Sequence, residues 1–359
     1  MRIVIDTNIF CEDYFLRGAN FRLLFDSLKS LPASLHIPEV VVDEVVNRYS
    51  EDLAEALAKD RDHRSLIGRL LVDSPQATLL SIKSENEVEG YRKNLETVLK
   101  THGEIMSYPK ITHKRIVERD LARCKPFKRD GSGYRDCLIW ENVKSLLLWG
   151  TERVILITNN PKDFGEGPHV DPELQKDLTN PDHLKLFRSL REFNEIFVLP
   201  RLKMLDGIKA AIQAEPSKIG LMKWLSDNLL NVVRDAGDLE YLIAGFPSGV
   251  GSVRPVELEA FHDLKVNNVR ELKSGEKLLN LTVGAEIDFS IDIDWDDYLN
   301  HQEVRNWAGD RLVEFLFSFS RHVAFVTIEV ELTIDLETQQ ITSHELLSID
   351  GGYASFQFK

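Results

Sequence analysis

The chain opens on an apolar, mostly β-branched run, Arg2-Ile3-Val4-Ile5, closed by Asp6, and this predicts a short buried strand. Over 20–31 the apolar residues fall at helical spacing, and Leu35-His36-Ile37 predicts a second strand. Pro38 fits the first position of a helix, where its missing N–H costs nothing. That helix carries Val41, Val42, Val45 and Val46 on its apolar side, with Glu44 near its start. Charged stretches over 50–72 and 86–101 have helical patterning, 103–114 reads as a loop and 115–124 as another helix. A polar connection from Lys125 to Gly133 leads to a helix beginning at Asp136, with Leu138, Ile139, Val143, Leu146 and Leu147 apolar. Residues 153–158 predict a strand, 160–173 a Pro/Gly/Asp-rich loop, and Ile196-Phe197-Val198-Leu199 a last strand before Pro200. Strands alternating with helices predict an α/β fold: a mostly parallel, Rossmann-like sheet with helices on both faces.

After Pro200 the pattern changes. Residues 201–235 read as two helical stretches broken by Pro216, and from about 280 the period becomes two. Ile287, Phe289, Ile291, Ile293 and Trp295 alternate with Glu286, Asp288, Ser290, Asp292 and Asp294. Val326, Ile328, Val330, Leu332 and Ile334 alternate with polar residues, and the run continues through 336–340 into Ile341-Thr342 as a hairpin. Such alternation marks antiparallel strands with one buried and one wet face. The chain therefore divides into an α/β domain over 1–200, with a helical insertion around 50–130, and a C-terminal α+β domain over 201–359. Its 359 residues are enough for both.

Charge sharpens this division. The net charge of −14 argues against a polyanionic partner, but residues 1–200 hold 29 Lys+Arg against 32 Asp+Glu, whereas 201–359 hold 15 against 26. Nine basic residues fall within 110–135, among them Lys125, Lys128, Arg129 and Arg135, opposed only by Glu118, Asp120 and Asp130. A polyanion can be held locally at such a segment despite the global charge. By base rates a charge run is a solvated surface; its direct attachment to Asp136 is what favours substrate contact. The acidic C-terminal domain is suited to a protein partner or to self-association rather than to nucleic acid. No apolar stretch is long enough for a transmembrane helix. The strand at the very start leaves no room for a signal peptide, and the three cysteines lack metal-ligand spacing, so a reducing, cytoplasmic setting is expected.

The candidate chemistry lies in four acids, each after a strand or on a helix: Asp6, Glu44, Asp136 and Asp163. Each has a bland reading. Asp6 can cap the next helix, Glu44 can be a solvated helix residue, Asp136 can stabilise a helix start and Asp163 can belong to a turn. Taken together, acids at strand ends and helix starts can meet in one cleft of an α/β sheet. They repel there unless a cation neutralises them, which points to a hard divalent metal and to phosphoryl-transfer chemistry. A dehalogenase-type phosphatase would need an Asp two residues after Asp6, where Asn8 stands. There is no His pair for zinc, no Gly-rich phosphate loop and no Gly-x-Ser-x-Gly elbow.

Four segments in order carry a resemblance: Val4-Ile5-Asp6-Thr7-Asn8, Pro38-Glu39-Val40-Val41-Val42-Asp43-Glu44-Val45, Gly133-Tyr134-Arg135-Asp136-Cys137-Leu138-Ile139-Trp140 and Ile155-Leu156-Ile157-Thr158-Asn159-Asn160-Pro161-Lys162-Asp163-Phe164. On these, residues 1–200 resemble a PIN domain, and Lys125-Pro126-Phe127-Lys128 before the Gly-x-Gly segment is similar to a bacterial subgroup with a helical insertion and a C-terminal extension. The resemblance implies a metal-dependent endoribonuclease acting on single-stranded RNA. It implies that Asp6, Glu44, Asp136 and Asp163 hold one or two Mg²⁺ or Mn²⁺ ions that lower the pKa of an attacking water. Thr7, Asn8, Thr158 and Asn160 would then orient the acids, and Lys128, Arg129 and Arg135 would meet phosphate. Many relatives carry an acid where this chain has Asn160; here the charge comes from Asp163. Phe127 and Tyr134 are open to base stacking or to packing. Two other readings stay open: a PIN-like scaffold that binds RNA or protein without cutting, and a toxin or defence effector nuclease.

Overall fold

The computed structural model describes residues 1–70, 84–148, 152–237, 239–242, 252–293, 295–300, 302–303, 306 and 320–351. It divides into two compact units, Met1–Arg201 and Leu202–Lys359.

In the first unit β1 (Arg2–Ile5) leads into α1 (Thr7–Cys11) and α2 (Ala19–Leu28). Then come β2 (Ser34–Pro38), α3 (Glu39–Leu70), α4 (Ser84–His102), β3 (Gly103–Met106), α5 (His113–Leu121), α6 (Tyr134–Leu148) and β4 (Val154–Ile157). Short pieces follow: α7 (Pro161–Phe164), β5 (Gly165–Glu166), β6 (His169–Val170), α8 (Pro172–Gln175), β7 (Leu184–Phe187) and α9 (Leu190–Phe193). Strands β3, β2, β1, β4 and β7, in that order, form a wholly parallel five-stranded sheet. Ile3, Val4 and Ile5 in β1 and all of β4 are buried, as expected of strands covered on both faces. The chain steps from β1 outward to β3, then returns beside β1 with β4 and continues to β7. The crevice beyond the carboxyl ends of β1 and β4 is therefore the topological switch point, the usual place for a site in an open α/β sheet.

The second unit contains most of α10 (Leu199–Ala214), then α11 (Leu221–Arg234), β8 (Ser252–Glu271), β9 (Lys277–Asp292), α12 (Trp295–Asn300), β10 (Ser320–Asp335) and β11 (Gln340–Gly351). The strands form a four-stranded antiparallel sheet in the order β11, β10, β9, β8. One face buries Leu279, Leu281, Val283, Ile287 and Phe289 of β9 together with Ile328, Val330, Leu332 and Ile334 of β10. Helix α11, with Leu221, Leu225, Leu229 and Val232 buried along one side, packs on β8 and β11.

Several expectations need correction. Ile196–Leu199 is not a strand: residues Asn194–Val198 form a π-helical turn, Ile196 is exposed, and the fifth strand is β7. A four-residue apolar run does not distinguish strand from helix. Ser189-Leu190-Arg191-Glu192 carries the capping-box spacing, and Ser189 Oγ accepts from the Glu192 N–H at 3.1 Å. The loop expected over 103–114 contains β3, where Gly103 allows close pairing: a Cβ there would lie 2.0 Å from the Leu35 carbonyl oxygen. Pro38 ends β2 instead of opening a helix, and the helices expected before and after residue 50 are one continuous α3. β structure begins with β8 at Ser252, not near 280; four register shifts along β8 break its alternation, so period-two reading misses it. Trp295 starts α12, and Asp288, expected on a wet face, is buried. Asp294 of that run lies outside the described residues.

Candidate metal centre

Asp6 ends β1 and is only 3% exposed. Its Oδ1 accepts from the Thr7 N–H and its Oδ2 from the Thr158 hydroxyl, both at 2.7 Å. Asp6 therefore caps α1, as the bland reading holds, and at the same time occupies the switch point beside β4. Burial pushes its carboxyl above the usual range; the bonds from Thr158 and Thr7 counter this, and the charges of Glu44 and Asp163 add to the rise. Thr158 is held in turn, its N–H donating to Phe187 O at 2.9 Å and its hydroxyl accepting from the Asn160 N–H at 3.1 Å.

Glu44 stands near the start of α3. Its Oε2 accepts from the Thr7 hydroxyl at 3.1 Å, and its Oε1 pairs with Arg135 and lies 3.8 Å from Arg48. Asp163 lies in α7, 2% exposed, and its Oδ2 receives Lys128 Nζ at 2.9 Å and also the Asn160 amide. The bond to Asp163, foremost, holds the Lys128 ammonium above its ordinary pKa. Asp136, in the first turn of α6, forms no hydrogen bond or ion pair among the described residues. Burial pushes its carboxyl up to about 7, with Asp6, Asp163 and Glu44 adding to the rise and Lys128 opposing it. The four acids thus feel one another through a poorly solvated region.

They do not close into a tight cage. Among the described residues, the group of three carboxylates whose oxygens lie within 4.8 Å of one another is Glu257, Glu259 and Asp288 of the second unit. At the switch point mutual repulsion is relieved by Lys128 on Asp163 and Arg135 on Glu44. The donor set suits a hard divalent cation: oxygen ligands only, two of the acids almost fully buried, and Asp136 with no partner among the described residues. Thr7, Thr158 and Asn160 all hydrogen-bond an acid. Asn8 departs from the expectation: it is exposed and bonds no acid among the described residues, because one helical step of about 100° turns it away from Thr7.

The basic segment is partly spent on structure. Arg119 donates through Nε and Nη2 to Lys125 O and pairs with Asp177 at 2.7 Å, while Trp140 Nε1 reaches the same carboxylate at 2.9 Å. Lys125 Nζ pairs with Asp171 at 2.7 Å, and its N–H donates to Glu173 at 3.0 Å. Asp171 also caps α8, and no local pattern marks Asp171, Glu173 and Asp177 as anchors of this loop; three-dimensional pairing reveals that role. They brace the 122–133 loop, in which Phe127 is buried and so packs instead of stacking on a base. Arg129 is exposed with no ion pair among the described residues, and Tyr134 is exposed on the same approach. Arg119→Met, which strips Asp177 and Lys125 O of a partly buried partner, is expected to cost about 1–3 kcal/mol. Hydrogen exchange over 122–133 should quicken accordingly; unchanged exchange would remove Arg119 from the bracing role.

Residues 3–164 match the PIN domain family model, so the N-terminal unit contains a PIN domain. PIN domains are in general nucleases that use divalent metals. No curated protein and no solved structure matches the chain. No helix among the described residues is long and apolar enough to cross a membrane.

Proposed function

We propose that the N-terminal unit is a Mg²⁺- or Mn²⁺-dependent endoribonuclease that hydrolyses phosphodiester bonds of single-stranded RNA. The observation that carries this reading is the gathering of Asp6, Glu44, Asp136 and Asp163 at the switch point, where Asp6 and Asp163 are almost fully buried and Asp136 is raised to about 7 by burial first and by the neighbouring acids after it. Asp6, Glu44 and Asp136 would hold the ion, with Asp163 beside them. The ion would supply an acidified water and charge for the developing phosphorane oxygens. The chain's own groups do the remaining work. Thr7 and Thr158 fix the rotamers of Glu44 and Asp6 through the hydroxyl bonds described above. Arg135, 54% exposed, is free to turn its remaining guanidinium donors toward a phosphate. Lys128 and Arg129 add positive charge along the same approach, which would let an acidic protein hold a polyanion locally.

The test is cleavage of end-labelled single-stranded RNA and DNA by the full chain with Mg²⁺, Mn²⁺ or chelator. Cutting of RNA that chelator abolishes is the expected result. Cutting of DNA alone would overturn the substrate assignment. Intact binding without cutting under either metal would favour the scaffold reading.

A further inference from the structure

The cations of the site are not equivalent. Lys128 lies on Asp163, which is 2% exposed and has only Lys128 and Asn160 as side-chain donors among the described residues. Arg135 lies on Glu44, which is 14% exposed and keeps the Thr7 hydroxyl and, at 3.8 Å, Arg48 as further partners. Withdrawing Lys128 would leave a buried carboxylate uncompensated, whereas withdrawing Arg135 would leave a better hydrated one. The backbone agrees with this difference. Lys128 N–H donates to Ser132 O at 2.8 Å, and Lys128 O accepts from Gly131 N–H at 3.0 Å. Phe127, next to it, is buried, and the Arg119 and Lys125 pairs pin the base of the loop. Lys128 is therefore a cation on a braced support.

We propose that the Lys128 ammonium is the centre's built-in second cation, so that the site takes one divalent ion, at Asp6, Glu44 and Asp136, and not two. The inference rests on the reading of these acids as a cation site. A carboxylate that would serve a second ion, Asp163, is already occupied on Oδ2 by a lysine and an amide. Position 160 brings that neutral amide instead of another acid. A second divalent ion would meet a fixed ammonium at close range and be repelled. An ammonium has three donors, and Asp163 engages one. Lys128 is 45% exposed, so the others are open to a phosphate oxygen while the Asp163 pair stays closed. The lysine would then stabilise charge on the phosphate from a fixed position.

The test is a count of bound Mn²⁺ on the full chain by electron paramagnetic resonance, with circular dichroism to verify the fold of each variant. Wild type is expected to bind one ion. Lys128→Met should rise to two, Lys128→Arg should stay at one because the charge is kept, and Lys128→Met/Asp163→Asn should return to one. Two ions on wild type, or one ion on folded Lys128→Met, would overturn the inference and leave the nuclease reading standing. No ion on wild type would overturn the metal-site reading itself, so the two failures are separable.

Discussion

Asp6→Asn combined with Asp136→Asn is expected to abolish metal-dependent cleavage, a loss on the order of 10³-fold or more, and to make the metal-free protein more stable. The two effects share one cause. Both carboxyls are pushed upward chiefly by burial and then by neighbouring acids, Asp136 to about 7. A carboxyl raised in the folded state binds its proton more tightly there than in the unfolded chain. For Asp136 the favourable contribution is complete below about pH 4 and is lost as pH rises through about 7. Above that the folded state bears the full cost of a poorly solvated charge. Removing the Asp136 charge should therefore stabilise the metal-free protein by on the order of 2–4 kcal/mol at pH 8, and by little at pH 4. Urea titrations at the two pH values check this. Equal stability of wild type and variant at pH 8 would mean that the folded state does not bear the cost of poorly solvated charge at these acids.

Gly133→Ala should cost the first unit about 2–4 kcal/mol and disturb the site with it. Gly133 has φ +115°, and a Cβ there would lie 2.5 Å from Pro126 O and 3.0 Å from Phe127 Cα. Both neighbours are backbone and cannot swing aside. Gly133 O also accepts the Cys137 N–H at 2.8 Å, the bond that starts α6 below Asp136. The strain would thus fall on the loop bearing Lys128 and on the helix bearing Asp136 together. Gly131→Ala is the control: its φ is +82°, but the nearest atom to a Cβ is Arg123 Nη1 at 3.8 Å, so the cost should be closer to 1 kcal/mol. Hydrogen exchange in α6 should rise strongly for the first substitution and little for the second. Similar exchange in both would show that the close approach to Pro126 does not matter.

These residues show what a sequence makes legible. β1 and β4 announce themselves because strands buried on both faces are continuous apolar runs, and the acids that follow them are read from position alone. Glu44 and Asp136 are readable because helix starts have local signals. β7 and β3 are missed for the opposite reason: four residues of ordinary composition become strands only because β4 and β2 offer them edges. β8 is hidden by its bulges. The bracing of the 122–133 loop depends on acids some fifty residues downstream, a pairing that no local pattern encodes. The same holds for the distinction between Lys128 and Arg135, which look alike in a basic run and differ in the burial of the acids they meet and in the bracing of the loop that carries Lys128.

The most direct test of the central claim is the thermal stability of the full chain at pH 8 with and without Mn²⁺, for wild type and for Asp6→Asn/Asp136→Asn. If the switch-point acids hold a divalent cation, Mn²⁺ raises the wild-type Tm, while the variant starts from a higher metal-free Tm and gains nothing from the ion. An equal rise in both proteins, or none in wild type, would contradict the assignment.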